Sequence, residues 1–281
     1  MPTQLDINHA RSLGGRRYVE LYGPPGTIES RRKGGLAVQA KLRTDPEFAR
    51  RAKLQLRKKI KYPQKSSALA EFIGIMLGDG GIRNAHQITI SFDAKKDQDY
   101  VVYLQNLIKG LFGISSTLYI REKKGRADIV VTSTNLIEFL EKMGIKKGNK
   151  VVNQIDVPNW IFESKKYQAA CLRGLFDTDG CIYQHRYAIN DKRYRYIKMC
   201  FRNYSFPILV SVKRMLENLN FNARLDKKQK SVYLHSPSEV SRYFLKIRTN
   251  NPGYRNKYNK FFSEKIGRLE GSHSWSSAAV C

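Results

Sequence analysis

The sequence predicts an α+β fold in which one αββαββα unit occurs twice in tandem, as a pseudo-twofold pair preceded by a basic helical extension. The repeat is indicated by the same order of hydrophobic patterns recurring after about 100 residues. The extension is indicated by a change in composition, with 16 Lys or Arg against 5 Asp or Glu before the first repeat. The predicted segments are the extension 1–65, a first unit 66–146, a linker 147–164, a second unit 165–250 and a tail 251–281.

Composition narrows the classes of partner. The 281 residues are 41% hydrophobic, which is enough to bury a substantial core. The formal net charge of +27 predicts a polyanionic partner. No apolar run approaches the roughly 18 to 20 residues that span a bilayer, and the N-terminus carries no signal-like apolar stretch. We therefore expect nucleic acid rather than a membrane, and an intracellular protein of a cytoplasm or an organelle that is not secreted.

The extension is predicted to be helical and to contact a phosphate backbone. Asp45 can cap a helix that starts at Pro46 and continues through FARRAKLQLRKKI without a breaker. Before it, Gly14-Gly15 and Gly34-Gly35 border two short basic helices. The alternative is a solvated basic tail. We favour the phosphate contact, since each cation near a phosphate releases a counterion.

The first unit shows its elements in order. SSALAEFIGIML predicts a helix, HQITISFD a strand and QDYVVYLQNLIKGLF an amphipathic helix. STLYIREKKGRADIVVTS predicts a hairpin with its turn at KKGR, and TNLIEFLEKMG predicts a helix that ends in glycine.

The second unit repeats this order. KKYQAACLRGLF is predicted as a helix, CIYQHRYA and YRYIKMCFRN as strands, and FPILVSVKRMLENLN as an amphipathic helix. NARLDKK and KSVYLHS are predicted to pair, and PSEVSRYFLKIRT closes the unit as a helix. The basic and then Ser-rich tail is predicted to be partly disordered.

The cysteines and histidines carry no metal signature. Cys171, Cys181, Cys200 and Cys281 show neither a CxxC pair nor a Cys/His spacing typical of zinc sites. They are interpreted as four reduced thiols, of which three are semi-buried.

Two acidic segments occupy equivalent places in the two units. The first helix of each unit ends in an aspartate followed by glycine, in FIGIMLGDG with Asp79 and in LRGLFDTDG with Asp179. One such ending is a common helix stop, but two in equivalent repeats indicate a paired site. Two adjacent carboxylates suit a hard divalent cation such as Mg²⁺, which also takes phosphate oxygens and assists phosphodiester hydrolysis.

Small residues predict that the two helices meet. Gly74 and Gly78 are four residues apart in the first helix, as are Gly174 and Thr178 in the second. This spacing places them on one helical face, which allows close approach and brings the two acids to the same end.

These features resemble the LAGLIDADG homing endonucleases. The two segments are similar to that family's paired motifs, and the element order over residues 66 to about 249 is similar to its half-domain. The resemblance implies a monomeric DNA endonuclease with two four-stranded sheets in the major groove of a long double-stranded site. It also implies cleavage that leaves short 3′ overhangs, with Mg²⁺ or Mn²⁺ as cofactor and Ca²⁺ as a non-catalytic substitute.

The resemblance assigns roles to particular positions. It implies that Asp79 and Asp179 are catalytic and hold the metal, together with Gly78 and Thr178. Gln87 is similar in register to a strand residue that orders active-site water in one branch of the family. Lys198 is the candidate for a basic residue that stabilises transition-state charge, with a plain phosphate contact as its alternative.

The second motif is fuller than the first. Asp177 matches the earlier acid position of the motif, whereas Leu77 departs from it. Asp177 is therefore left outside the predicted catalytic set, and the two half-sites are expected to be non-equivalent.

Alternating strand residues are predicted to face DNA, because their aliphatic neighbours face the helices. Mixed donors, acceptors and rings can distinguish base edges, unlike a purely cationic strip. The alternative is an ordinary solvated sheet surface. The predicted contacts are Arg83, Tyr119, Arg121, Lys123, Arg126 and Asp128 in the first unit, and Tyr183, His185, Arg224, Asp226, Lys228, Tyr233 and His235 in the second.

Three alternatives to a free-standing or intron-encoded nuclease fit the same fold. The same fold without cleavage could serve as an RNA maturase or as a DNA-binding regulator. Retention of both motif acids favours cleavage, since a pure binder has no use for two carboxylates against phosphates. The third, an endonuclease within a self-splicing protein, is disfavoured because no splicing segments are recognised around the repeats.

Overall fold

A computed structural model describes most of the chain as two compact units, residues 1–57 and 58–281. The residues described are 13, 16–21, 23–24, 26–52, 57–121, 125–190 and 192–270. Within these ranges, every helix is too short or too polar to cross a membrane.

The N-terminal compact unit, residues 1–57, is helical, as the sequence predicts for the extension. Residues 16–21 are helical, and α1 (Ile28–Thr44) and α2 (Pro46–Ala52) follow. Asp45 caps α2 as expected, its Oδ1 accepting from the Phe48 amide at 2.9 Å. The predicted continuation to Ile60 is wrong in part, because residues 57–60 are not helical, while 53–56 lie outside the described residues. Leu42 is the one buried side chain of α1, so the basic surface of this helix is open.

The larger compact unit, residues 58–281, begins with the first αββαββα repeat. Its helices are α3 (Ser67–Leu77), α4 (Gln98–Phe112) and α5 (Thr134–Lys142). Its strands are β1 (Gly80–Asn84), β2 (Gln87–Asp93), β3 (Thr117–Arg121) and β4 (Arg126–Thr132). They form an antiparallel sheet in the order β1-β2-β4-β3.

The same arrangement follows the linker. A 3₁₀ turn (Asn159–Glu163) leads into α6 (Lys165–Asp179), and α7 (Phe206–Asn218) and α8 (Pro237–Lys246) follow. The strands are β5 (Gly180–Ile189), β6 (Lys192–Arg202), β7 (Arg224–Leu225) and β8 (Ser231–Leu234), in the order β5-β6-β8-β7. The equivalent sheet order confirms the predicted doubling.

The C-terminal region corrects the sequence prediction. Residues expected to be a partly disordered tail form α9 (Pro252–Glu270), and 271–281 lie outside the described residues. Contacts with the rest of the fold explain why this segment is helical. Tyr258 stacks on Phe244 of α8 with ring centroids 4.3 Å apart, and the Tyr254 hydroxyl donates to the Gly180 carbonyl at 2.6 Å. This helix is thereby anchored to the start of β5.

Each sheet buries one face and leaves the other open. In the first sheet Ile88, Ile90 and Ile129 are fully buried, while the intervening Thr89 and Val130 are partly exposed. Ile197 and Met199 do the same in the second sheet. Period-two alternation therefore correctly indicates which residues form the core.

The two copies meet through α3 and α6, which run in the same direction. A Cβ on Gly74 would collide with the backbone of Cys171 and lie 3.0 Å from the Leu175 amide nitrogen. Reciprocally, a Cβ on Gly174 would collide with the backbone of Glu71. The small-residue face predicted from the sequence is thus the surface along which the helices touch.

A buried ion pair crosses this helix pair. Arg173 Nη2 of α6 donates to Glu71 Oε2 of α3 at 2.6 Å, and Glu71 is 2% exposed. The Tyr103 hydroxyl and the Asn250 side-chain amide both donate to Glu71 Oε1 at 2.6 Å. With its oxygens fully bonded, the buried carboxylate fixes the two copies relative to each other.

Candidate active site and nucleic-acid interface

Asp79 and Asp179 lie side by side where the paired helices end. Asp179 is the last residue of α6, and Asp79 stands two residues beyond α3. A Cβ on Gly78 would lie 3.4 Å from Asp179 Cγ, so the two chain segments touch at this point. The Asp79 carbonyl accepts from the Ser91 amide at 3.2 Å, which joins this site to the start of the first sheet.

Burial disfavours the charged form of both carboxyl groups. Burial raises the pKa of Asp179 to about 7, and the nearby Asp79 adds to that rise. Burial likewise raises the pKa of Asp79, against the opposing effect of Lys150. Paired and desolvated carboxylates favour a cation between them, because it relieves both penalties at once.

Lys150, a residue of the linker, places its positive charge near both acids. The sequence did not identify this residue as part of the site. Its Nζ donates to the carbonyls of Leu77 at 3.0 Å and of Gly78 at the end of α3. The ammonium lowers the pKa of both Asp79 and Asp179, while burial lowers its own. Nothing in KKGNK distinguishes this lysine from its neighbours, so only its long-range packing reveals it.

Asn203 is a second missed residue. Its side-chain amide donates to Asp179 Oδ2 at 2.6 Å, and its own Oδ1 accepts from the Ser205 amide at 2.8 Å. Asp179 is therefore oriented by an amide, whereas Arg126 adds a positive charge near Asp79. The surroundings of the two acids differ accordingly.

Asp177 belongs to the packing of the fold. It is 3% exposed and accepts from the Thr249 hydroxyl and from the Asn250 amide at 2.8 Å. Burial raises its pKa to about 7. Its bonds go to the segment after α8, which supports leaving it out of the catalytic set.

Gln87 and Lys198 lie away from the acids, contrary to the sequence prediction. In the first sheet Gly80 pairs with Ile90, and Gln87 pairs with Thr132 at the opposite end of β2. Gln87 is four residues along the strand from Ser91, which corresponds to roughly 13 Å.

The second sheet repeats this displacement. Gly180 pairs with Phe201, which puts Arg202 next to Asp179, while Lys198 pairs with Tyr183 farther along. The Lys198 ammonium lies over the ring of Tyr196, 5.0 Å from its centroid. The family resemblance pointed to Gln87 and Lys198, but the sheet register places both away from the acids.

The donor set fits a divalent cation that keeps part of its shell for other ligands. Among the described residues no group of three or more His, Cys, Asp or Glu side chains is arranged to hold a metal. At the predicted metal-site residues Gly78 and Thr178, the Gly78 carbonyl accepts from Lys150, and the Thr178 hydroxyl donates to Gly174 O at 3.0 Å. The two carboxylates are the charged oxygen donors at this place, which is typical of Mg²⁺ sites completed by water and phosphate oxygens.

Cations cover the open face of the first sheet. Arg83, Tyr119, Arg121 and Arg126 are exposed there as predicted, and Arg83, Arg126 and Asp79 line one pocket of about 300 Å³. The predicted Lys123 lies outside the described residues.

Asp128 departs from its predicted role. It is 1% exposed and lies beneath Arg121 and Arg126, which bind its two oxygens at 3.1 and 2.9 Å. The Ser91 hydroxyl also donates to Asp128 at 2.8 Å. Asp128 therefore orients two arginines at the surface instead of facing a ligand. Burial raises its pKa, but the hydrogen bonds from Ser91 and Arg126 and the charges of the two arginines outweigh burial and lower the pKa below its usual value.

The open face of the second sheet is richer in rings. Tyr183 lies opposite Lys198, and His185 lies opposite Tyr196 with ring centroids 5.1 Å apart. Tyr233 and His235 stack with centroids 5.2 Å apart.

At the β7–β8 end of this sheet, Arg224 and Lys228 are exposed as predicted. Asp226 instead caps the turn, accepting from the Lys230 amide at 2.8 Å, so its Oδ1 serves the backbone.

Comparison with known proteins agrees with this architecture. Residues 166–258 match the model of the LAGLIDADG-like domain family. The chain is 32% identical over 133 residues to the tRNA-splicing ligase RtcB of Pyrococcus abyssi, which covers 42% of this chain and 14% of the ligase. It is 27% identical over 167 residues to the replication factor C small subunit of Methanocaldococcus jannaschii, covering 55% of this chain and 9% of that protein. The chain therefore spans only a small part of these curated relatives.

Solved structures are similar to this chain. I-SmaMI, bound to an uncleaved DNA target in the presence of calcium ions, matches with a TM-score of 0.50 at 10% identity, covering 74% of this chain and 93% of that one. The N-terminal LAGLIDADG domain of WhiA matches with a TM-score of 0.44 at 15% identity, covering 66% and 83%. The likeness to I-SmaMI is one of fold, and it confirms the predicted α+β architecture.

Proposed function

We propose that this chain, whose residues 166–258 match the LAGLIDADG-like domain family, is a site-specific endonuclease that hydrolyses both strands of double-stranded DNA. It would act as a monomer with Mg²⁺ or Mn²⁺, leave short 3′ overhangs and accept Ca²⁺ without cleavage. Its long target site would lie along the two open sheet faces, in the major groove.

The pairing of Asp79 with Asp179 carries the proposal. The two carboxylates meet at the ends of parallel helices, at the junction of the two sheets. A divalent cation bound there would polarise the scissile phosphate as a Lewis acid. The two acids would hold it in a site with too few protein ligands to complete its shell, which leaves room for phosphate oxygens.

Lys150 is proposed as the basic residue that stabilises developing negative charge, in place of Lys198. It is the cation that influences both acids, and its ammonium is held by carbonyl oxygens at the end of α3. A fixed positive charge in a partly buried site stabilises a transition state better than a mobile one, because it needs no reorganisation.

The open faces supply DNA contacts of two kinds. The arginines above Asp128 are held in place by their ion pairs, which suits recognition of phosphate or guanine by a planar guanidinium. The stacked Tyr233 and His235 offer a ring edge and polar atoms for reading bases. The basic α1 would add affinity that does not depend on sequence.

The test is cleavage of a randomised library of long duplexes with Mg²⁺, followed by sequencing of the new ends. We expect one preferred site cut on both strands with 3′ overhangs, and no product in EDTA. Enrichment of a bound site that is never cut would contradict the proposal and point to a binding protein. Preferential enrichment of RNA from a parallel library would point to a maturase.

Replacing Lys150 with methionine is expected to slow cleavage of the selected site about 100-fold while changing duplex affinity far less. Methionine keeps an apolar stem in the partly buried position but removes the charge beside the two acids. Single-turnover cleavage and fluorescence anisotropy with the same duplex separate the two effects.

The matched control is Lys147→Met, which removes an exposed lysine of the same linker, paired with Glu141 at 3.1 Å. This control should cleave at the wild-type rate. Equal rates for the two variants, with only the Lys150 protein losing thermal stability, would mean that Lys150 merely caps α3.

A further inference from the structure

Two cysteines face each other across the open side of the second sheet. Cys181 of β5 and Cys200 of β6 are direct partners in the antiparallel register. Directly opposite residues project to the same face, so the two thiols are neighbours on it. The sequence does not indicate this pair, because a separation of 19 positions matches no cysteine motif.

The backbone holds the pair within the range that a disulfide needs. Opposite Cα atoms of antiparallel strands are about 4.5 to 5.5 Å apart. Disulfides typically join Cα atoms about 4.4 to 6.8 Å apart, so a bond could form without separation of the strands.

Their different exposure gives the two thiols different roles. Cys181 is exposed, while Cys200 is 7% exposed and lies on β6, inside the sheet between β5 and β8. An outside reagent can therefore reach Cys181 first, and Cys200 is positioned to attack the product.

The pair also lies beside the proposed active site. Cys181 is two residues after Asp179, the last residue of α6, and across the sheet Cys200 is followed by Tyr233 and Arg224. The row Cys181, Cys200, Tyr233 and Arg224 thus runs across the predicted DNA-binding surface, next to the row that contains the acid.

We propose that Cys181 and Cys200 form a reversible disulfide on this surface through exchange with a low-molecular-weight disulfide such as oxidised glutathione, and that bound duplex DNA shields the pair. The first part stands on the sheet register alone, whereas the shielding rests on the proposed function.

The exchange balances in two steps. The Cys181 sulfur attacks one sulfur of the small disulfide, forms a mixed disulfide and releases one small thiol. The Cys200 sulfur then attacks the Cys181 sulfur, forms the intramolecular bond and releases the second small thiol. The protein gives up two electrons and two protons, and the small disulfide is reduced to two thiols.

The test treats full-length protein carrying Cys281→Ser with oxidised glutathione, alkylates the remaining thiols and maps the peptides. We expect a linked Cys181–Cys200 peptide pair with a mass loss of about 2 Da for the two hydrogens, reversed by dithiothreitol. The buried Cys171 should remain a free thiol. In a Cys200→Ser variant, oxidation should instead stop at a glutathione adduct on Cys181.

A linked pair in the parent protein, with the adduct only in the variant, supports the proposal. Free thiols at both positions, or a stable adduct on Cys181 despite an intact Cys200, would overturn it. Thermal unfolding of the parent and the Cys200→Ser protein establishes that both are folded.

The shielding is measured with a long random-sequence duplex at a concentration that saturates binding by fluorescence anisotropy. We expect oxidation of Cys181 to slow by about tenfold or more, because the reaction depends on access to the thiol. Saturated binding with an unchanged oxidation rate would place DNA elsewhere on the molecule while leaving the disulfide itself intact. Absence of cleavage with normal shielding would instead count against the proposed nuclease activity alone.

Discussion

Asp79→Asn and Asp179→Asn variants are each expected to bind the selected duplex with near wild-type affinity and to lose double-strand cleavage by about a thousandfold or more. Asparagine keeps the shape of the side chain but removes the charge that would hold a divalent cation. Loss of either acid should suffice, because the two carboxylates form one site at the ends of α3 and α6. The measurements are single-turnover cleavage with Mg²⁺ and anisotropy with Ca²⁺.

The stability of these variants provides a second, independent expectation. Burial raises the pKa of both Asp79 and Asp179, so their charged forms are unfavourable in the folded protein at neutral pH. Removing either charge should leave the metal-free protein at least as stable at pH 8 as the wild type. A large fall in the urea midpoint would indicate that the carboxylate is a structural group.

Asp99→Asn is the matched control for both acids. Asp99 is an exposed carboxylate in the first turn of α4. Its replacement should leave cleavage unchanged. Equal cleavage by all three variants would remove the two motif acids from the proposed chemistry.

Local sequence patterns predicted the parts of this molecule that depend on neighbouring residues. The doubled order of helices and strands, the paired Asp-Gly endings and the small face of Gly74 and Gly174 follow from periodicity and residue size. Strand alternation also gave the correct face for Tyr119 and Tyr183.

Long-range geometry decided what the sequence reasoning missed. Lys150 reaches the acids only because the linker folds back onto the end of α3, and one lysine among 51 Lys plus Arg carries no local signal. Gln87 has the right face, but the sheet register sets its distance from Asp79. Asp128 was predicted to face DNA, but two arginines cover its carboxylate in the folded protein.

Gly74→Ala and Gly174→Ala are each expected to destabilise the protein by about 1 to 3 kcal/mol, although alanine is the better helix former by about 1 kcal/mol. The added methyl group would meet backbone atoms of the partner helix, and backbone cannot move aside as a flexible side chain can. The two helices would have to separate, which disturbs the Glu71–Arg173 pair and the position of both acids. Leucine at either position should prevent folding.

Gly110→Ala isolates this packing effect from helix propensity. Gly110 also lies within a helix, α4, but a Cβ there would meet nothing within 4 Å. This variant should therefore gain up to about 1 kcal/mol, because only the propensity changes. Urea unfolding of the three alanine variants measures the difference. If Gly74→Ala and Gly174→Ala matched Gly110→Ala in stability, the close contact of α3 and α6 could not be what holds the two acids together.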